Sequence, residues 1–451
     1  MVDHNIQMKK KNNGQWENLF PLTSSTNVIH SDGQTSDVKI KNNENAINNN
    51  LQDIRTLTET IGTKPTDPEW LNQSVFNSIK YLENYSRNNM IDVTLPPWNV
   101  PNDGITDATK SIKNVFENVS IRSTVYFPNG TYLITDQIVL DRELSIKGST
   151  VGENGGTLFN FKIPSTSGEV IAFLIKSTAK NSNIENLYLK NSSPEGVSLQ
   201  GFGNSADDDA LTHFNVTDVW VVNFTNNFIF RKIYLSRFYR CVTRGGYRGF
   251  SLSGDSTSLV IEGCYAVGCT ENWYLENIVY STLISCASDD SERSAYRFVN
   301  CKGLHLSACA GETALHSGFF VDRDNIGITF SGCLTHRCGS STSIKGTSLH
   351  VEKANKNIVV QGMVENTQST DTTANSIIFG DAENCTVNSC KVITKIIAPP
   401  SVIVDGQRKG KTPPSTGVYK TGDMVYKEDF NGTGIYGWIR TSESSWVELT
   451  I

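Results

Sequence analysis

Asp289 and Glu312 each stand three residues after a cysteine, Cys286 and Cys309. The same count from Cys241, Cys264 and Cys333 reaches Arg244, Val267 and His336. If each cysteine-to-cysteine interval is one coil of a solenoid, these five residues form one column. The next column reads Gly245, Gly268, Asp290, Thr313 and Arg337. Carboxylates on neighbouring coils would lie roughly 5 Å apart at strand spacing. Like charges that close repel, and a shared site raises the pKa of one of them. One protonated acid beside one ionised base or nucleophile is the division of labour that glycosidic cleavage needs. A gap of about 5–5.5 Å gives retention and one of about 6.5–9.5 Å gives inversion. Backbone spacing leaves that choice open, because side chains splay.

Asp290 and Glu292 are substitute members of the acid/base pair. His336, Arg337, Arg244, Glu271 and Trp273 are the expected substrate-binding residues, and Arg293 and His316 lie in the adjoining turns. Trp273, Tyr274, Tyr280, Tyr296, Phe319 and Phe320 surround the same coils. Core packing claims most of these rings, but adjacent residues on a strand point to opposite sides, so one of Trp273 and Tyr274 faces out. The competing reading is a solvated charged turn with His336 and Arg337 as counter-charges. A second acidic cluster, Asp207-Asp208-Asp209, reads as a loop.

The elements that must hold such a column are strands. Cys241, Cys264, Cys286, Cys309 and Cys333 are 23, 22, 23 and 24 residues apart, with Met363 and Cys390 continuing the ladder. Leu-Val-Ile-Glu-Gly-Cys at 259–264 has counterparts at 283–286, 304–309 and 328–333. A repeat of this period marks a solenoid, and the apolar alternation before each cysteine marks strands. The expected fold is all-β, a parallel β-helix whose cysteines point inward as free thiols. Their spacings match no zinc motif; no metal and no cofactor is expected.

The chain has 451 residues, a net charge of −6 and a pI near 5.7, which advertises no nucleic-acid partner. It has no run of 18 apolar residues to span a membrane. Its first residues have no apolar stretch behind the lysines, so they do not read as a secretory signal. Ile40, Ile47, Ile54 and Ile61 are seven apart, a heptad column that argues for a short coiled coil. Leu71, Val75, Ile79 and Leu82 make a second amphipathic segment. Residues 401–416 read as a linker.

Three segments resemble known proteins. Asn102-Asp103-Gly104-Ile105-Thr106-Asp107-Ala108-Thr109, a short helix, and Thr124-Val125-Tyr126-Phe127-Pro128-Asn129-Gly130-Thr131-Tyr132 are similar to the entry of the pectate-lyase-like superfamily of right-handed β-helices, as found in phage tailspikes. Trp16-Glu17-Asn18-Leu19-Phe20-Pro21-Leu22-Thr23, with Val28, resembles a segment near the N-terminus of phage tail and baseplate proteins. Gly417 to Tyr426, with Gly437-Trp438-Ile439 and Trp446-Val447, looks like the small β unit that closes many phage β-helix spikes; its tryptophans are either sugar platforms or core anchors.

The resemblance implies a virion-attachment segment over 1–37, a helical trimerisation segment over 38–90, a right-handed parallel β-helix over 91–400 and a small β domain over 401–451. It implies a homotrimeric phage tail spike or fibre, assembled in the host cytoplasm and joined to the tail or baseplate through its N-terminus. Such a protein recognises a capsule, exopolysaccharide or wall teichoic acid. It either depolymerises that glycan, as a hydrolase or a lyase, or only binds it. A secreted lyase or epimerase is the third reading. One fold hosts many chemistries, so pectate is not implied.

Overall fold

A computed structural model describes the backbone of residues 7–12 and 15–21 and then residues 90–450, apart from 153–154, 165–168, 340–346, 367–376, 381, 393–395, 400, 405–406, 411–423, 428–434 and 442–444. The chain divides into two compact units, 1–80 and 81–451. In the first, Gln7–Asn12 and Gln15–Pro21 form an antiparallel hairpin. The isoleucine heptad and the second amphipathic segment lie outside the described residues.

The second unit is a parallel β-helix of three long sheets. Each coil contributes one strand to each sheet in turn. Glu271–Glu276 belongs to sheet 1, Val279–Ile284 to sheet 3 and Ala287–Asp289 to sheet 2; Tyr296–Val299 then returns to sheet 1. Sheets 1 and 2 each hold eleven strands. The first strand among its described residues is Met90–Asp92, which pairs with Thr124–Phe127. The helix Thr109–Asn118 buries Ile112, Val115 and Phe116. Phe116 meets Phe127 and Phe173 at 6.3 Å, so the helix covers the apolar end of the first coils. That end would otherwise expose unpaired strand edges.

The ladder cysteines occupy a corner. On the cysteine coils, sheets 3 and 2 are joined by two residues: 263–264, 285–286, 308–309 and 332–333. The first of each pair is left-handed (Gly263 φ +61, Ser285 φ +50, Ala308 φ +51, Gly332 φ +59). That single residue turns the chain sharply and aims the second, the cysteine, inward. Cys264, Cys286, Cys309 and Cys333 are buried. The thiols of Cys286 and Cys309 donate to Ile261 O and Leu283 O at 3.5 Å, one coil back.

Inward residues of sheet 2 are small: Thr243, Ala266, Ser288, Gly311 and Thr335. Sheet 1 fills the space they leave with large rings. Phe228, Phe250, Trp273, Tyr296 and Phe319 stack in register, with centroids 4.6, 4.1, 5.5 and 4.9 Å apart. Their polar tips are satisfied across the core: Trp273 Nε1 donates to Ala287 O at 3.2 Å and Tyr296 Oη to Cys286 O at 2.8 Å. Such rings bury large apolar areas and need a partner for their polar atoms.

The connection from sheet 2 to sheet 1 varies where the corner does not. It spans 268–270, 290–295 and 313–316, lengths of three, six and four residues, read between strand ends. At the far end, Val402–Val404 adds a last parallel rung on Cys385–Val387, and Gln407–Gly410 folds back antiparallel on it. Most of the expected linker described here is therefore strand, since its backbone groups find partners on the solenoid's final edge. Met424–Lys427, Ile435–Arg440 and Trp446–Thr450 complete this unit. Trp438 is buried within it, a core anchor.

All ten cysteines are free thiols. Burial pushes the Cys269 thiol up to about 12, and alkylation needs the thiolate. Iodoacetamide at neutral pH is expected to leave the buried Cys264, Cys269, Cys286 and Cys309 unmodified in the native protein. All ten should react in denaturant without any reductant. Intact-mass spectrometry that finds a disulfide among them overturns this.

Candidate functional site

The expected column is present. Arg244 pairs with Val267, Val267 with Asp289, and Glu312 with His336. Asp289 and Glu312 each follow the paired residues Ser288 and Gly311 by one position, so they too are rung neighbours. Asn272, fully buried at the start of a sheet 1 strand, donates from Nδ2 to Asp289 O at 2.7 Å and to Ser288 Oγ at 2.8 Å. It fixes the backbone from which the Asp289 carboxylate projects.

That carboxylate is half-buried. Oδ2 accepts from Tyr265 Oη at 3.5 Å. Oδ1 accepts from the Thr313 hydroxyl and, at 2.9 Å, from Asp290 N. Thr313 Oγ1 also accepts from Asp290 N at 2.9 Å. The Tyr265 phenol is raised above its ordinary pKa, first by burial and then by the charges of Asp289, Asp290 and Glu312. Three carboxylates thus share one patch. Glu312 and His336 are half-buried; Asp290, Arg244 and Arg337 are exposed. Asp290 (φ +49) and Arg337 (φ +51) take the left-handed position that ends the sheet 2 strand, which turns them out of the column. Glu292 lies further along the turn, where Oε2 accepts from Thr270 Oγ1 at 2.8 Å.

Across the same turn, sheet 1 carries an open cleft of about 350 Å³. It is lined by Glu271, Arg293, Ser294, Arg297, His316, Ser317, Phe320, His350 and Glu352. The outward places of successive sheet 1 strands supply a ladder of Tyr274, Arg297, Phe320 and His350. The Arg248 guanidinium lies 3.5 Å from the Tyr274 ring centroid, a cation–π contact. The Glu271 carboxylate, with a side chain only 2% exposed, accepts from Arg248 Nε at 3.0 Å and Arg297 NH1 at 2.9 Å. Arg297 donates its other edge to Asp322 Oδ2, at 3.1 Å from Nε and 2.7 Å from NH2. His350 Nε2 lies 3.4 Å from Glu352 Oε1. Burial lowers the pKa of His316, helped by the Arg293 charge; burial lowers that of His350 against the pull of Glu352. Both imidazoles are therefore neutral, proton-accepting groups near pH 7.

Two expected binding residues are corrected. Trp273 is 0% exposed and points into the core, where it stacks between Phe250 and Tyr296. Asn272 occupies the turn corner, which sets the strand's phase so that Tyr274 is the outward partner. Glu271 lines the cleft but does not offer its charge, since two arginines hold its oxygens; it is a positioning group. Arg248, Arg297, Asp322, His350 and Glu352 were not expected from the sequence. Their signal is the outward alternation of sheet 1, which becomes countable only once the turn lengths are known. Among the described residues, no group of three or more His, Cys, Asp or Glu is placed to hold a metal ion.

Residues 98–160 match the family described as rhamnogalacturonase A/epimerase, pectate lyase-like. The solved structure of DFA-IIIase from Arthrobacter chlorophenolicus A6 in complex with GF2 is similar with a TM-score of 0.56 at 15% identity, covering 70% of this chain and 92% of that one. The fold is the right-handed parallel β-helix. The A-module of Azotobacter vinelandii mannuronan C-5 epimerase AlgE4 shares it (TM-score 0.50, 12% identity, 73% of this chain and 99% of that one). So does the Dettilon tailspike protein (TM-score 0.50, 10% identity, 70% of each chain). A search of curated protein sequences finds no match to this β-helix chain.

Proposed function

We propose that this β-helix is a bacteriophage tail spike or fibre protein that binds a host surface glycopolymer and cleaves its glycosidic bonds during adsorption. The supporting observation is the open cleft: the Phe320 ring lies among Arg293, Arg297, His316 and His350, across one turn from the stacked Asp289 and Glu312. An aromatic face with fixed polar groups around it suits a sugar ring. In this reading one of Asp289 and Glu312 protonates the leaving oxygen, and the other activates water or attacks the anomeric carbon. His336 orients or balances the pair, and Arg244 and Arg337 contact the polymer beside it. Residues 1–37 attach to the tail, as the phrase at 16–23 suggests, and residues 38–90 join copies of the chain, as the isoleucine heptad suggests; the number three follows from the resemblance to phage spikes.

One observation favours a receptor-binding fibre that cleaves nothing: both oxygens of Asp289 already accept hydrogen bonds within the protein. A single assay separates the two. Full-length protein incubated with capsule, exopolysaccharide or wall polymer of its host is expected to release new reducing ends. If the polymer binds and no ends of any kind appear, saturated or unsaturated, the fibre reading replaces the enzyme.

A further inference from the structure

We propose that Arg293 reads a negatively charged substituent, a carboxylate or a phosphate, on the sugar unit held in the cleft. The inference rests on the glycan-binding function proposed above. It starts from which cations in the cleft are already matched. Arg248 and Arg297 face Glu271 and Asp322, two guanidinium groups against two carboxylates, all at 2.7–3.1 Å. Arg297 is held along both edges, so it has little freedom to turn toward a ligand.

Arg293 differs. Its guanidinium is 3.8 Å from Glu271, whose oxygens are taken by closer partners, and 3.5 Å from Tyr247 Oη. Its side chain is 47% exposed. It lies beside His316, whose imidazole feels its charge. Arg293 supplies the positive charge of this wall of the cleft and His316 a neutral imidazole beside it; the anionic neighbour of Arg293 among the described residues is Glu271, at the long distance of 3.8 Å. At the other end of the cleft, Glu352 lies 3.4 Å from His350, its ion-pair neighbour among the described residues, and repels an anion. The cleft is therefore polarised, and Phe320 is the aromatic ring in its lining. A sugar stacked on that ring turns its anionic group toward Arg293. Guanidinium suits either oxyanion, because its planar fork matches both geometries.

The test is calorimetric titration of the full chain with three probes: a short oligouronate, the same oligomer with its carboxyls reduced to alcohols, and a glycerol-phosphate oligomer. The tighter of the two anionic probes identifies the source of the charge. It is expected to bind at least roughly tenfold tighter than the neutral oligomer, about 1.4 kcal/mol. Arg293→Gln should bring that ratio close to one with thermal unfolding unchanged, and Arg293→Lys should restore part of it. The His316 imidazole should titrate at higher pH with the anionic probe bound, an effect that a purely structural role for Arg293 would not produce. Equal binding of charged and neutral oligomers, or a ratio that survives Arg293→Gln, overturns the charge reading and leaves the glycan-binding function standing. Failure of all three probes and of the host polymer overturns both.

Discussion

Asp289→Asn and Glu312→Gln are each expected to slow glycan cleavage by roughly 10²–10⁴-fold, the usual scale for losing a general acid or base. Both replacements are close to isosteric, so the fold should persist. The Asp289 backbone is held by Asn272 through its carbonyl, which the substitution does not touch. Asparagine can still accept from Thr313 or Tyr265 through its one carbonyl oxygen, so binding of the polymer should survive in both variants. The two measurements are initial rates of reducing-end release and equilibrium binding of the same polymer. Full activity in both variants would move the chemistry away from this pair and into the cleft across the turn, where His350 and Glu352 are the next candidates.

The largest effect on stability is expected from Glu271→Ala. The carboxylate is almost wholly out of water and holds two guanidinium groups. Removing it leaves Arg248 and Arg297 beside each other without the charge between them. Breaking a buried ion pair by deleting one partner costs about 3–5 kcal/mol, because the remaining charge is left desolvated. Arg248 and Arg297 are 23% and 26% exposed, so some of that penalty is relieved by water and the lower end of the range applies. Glu292→Ala, on the exposed part of the neighbouring turn, should change stability by less than about 0.5 kcal/mol. Thermal unfolding of the two variants beside the parent chain gives the comparison. Similar midpoints would mean that the arginines relax into solvent and that the network contributes little.

The corner explains how much could be read in advance. Two residues join sheet 3 to sheet 2 on each of the cysteine coils, so a residue three past a cysteine occupies the same place on sheet 2. Arg244, Asp289, Glu312 and His336 could be aligned by counting alone. Counting fails past the next connection. Tyr274, Arg297, Phe320 and His350 share one outward column, yet they stand 10, 11, 11 and 17 residues after Cys264, Cys286, Cys309 and Cys333. The charge network has the same origin. Arg248, Glu271, Arg297 and Asp322 come from four different coils, and no local pattern marks them as partners. Trp273 was misassigned because alternation along a strand gives the period of two but not its phase.

The unequal turns between sheets 2 and 1 have a consequence for how such a protein diversifies. The two-residue corner and the stack of inward rings hold the register of the strands on either side, whatever lies between them. A turn of three residues and one of six therefore sit on the same scaffold, and doubling a loop costs only about 0.6 kcal/mol in closure entropy. The turn that carries Glu292 and Arg293 behaves as an exchangeable cassette. Its length and composition can drift under selection by a changing surface polymer, while the rod that presents it stays the same.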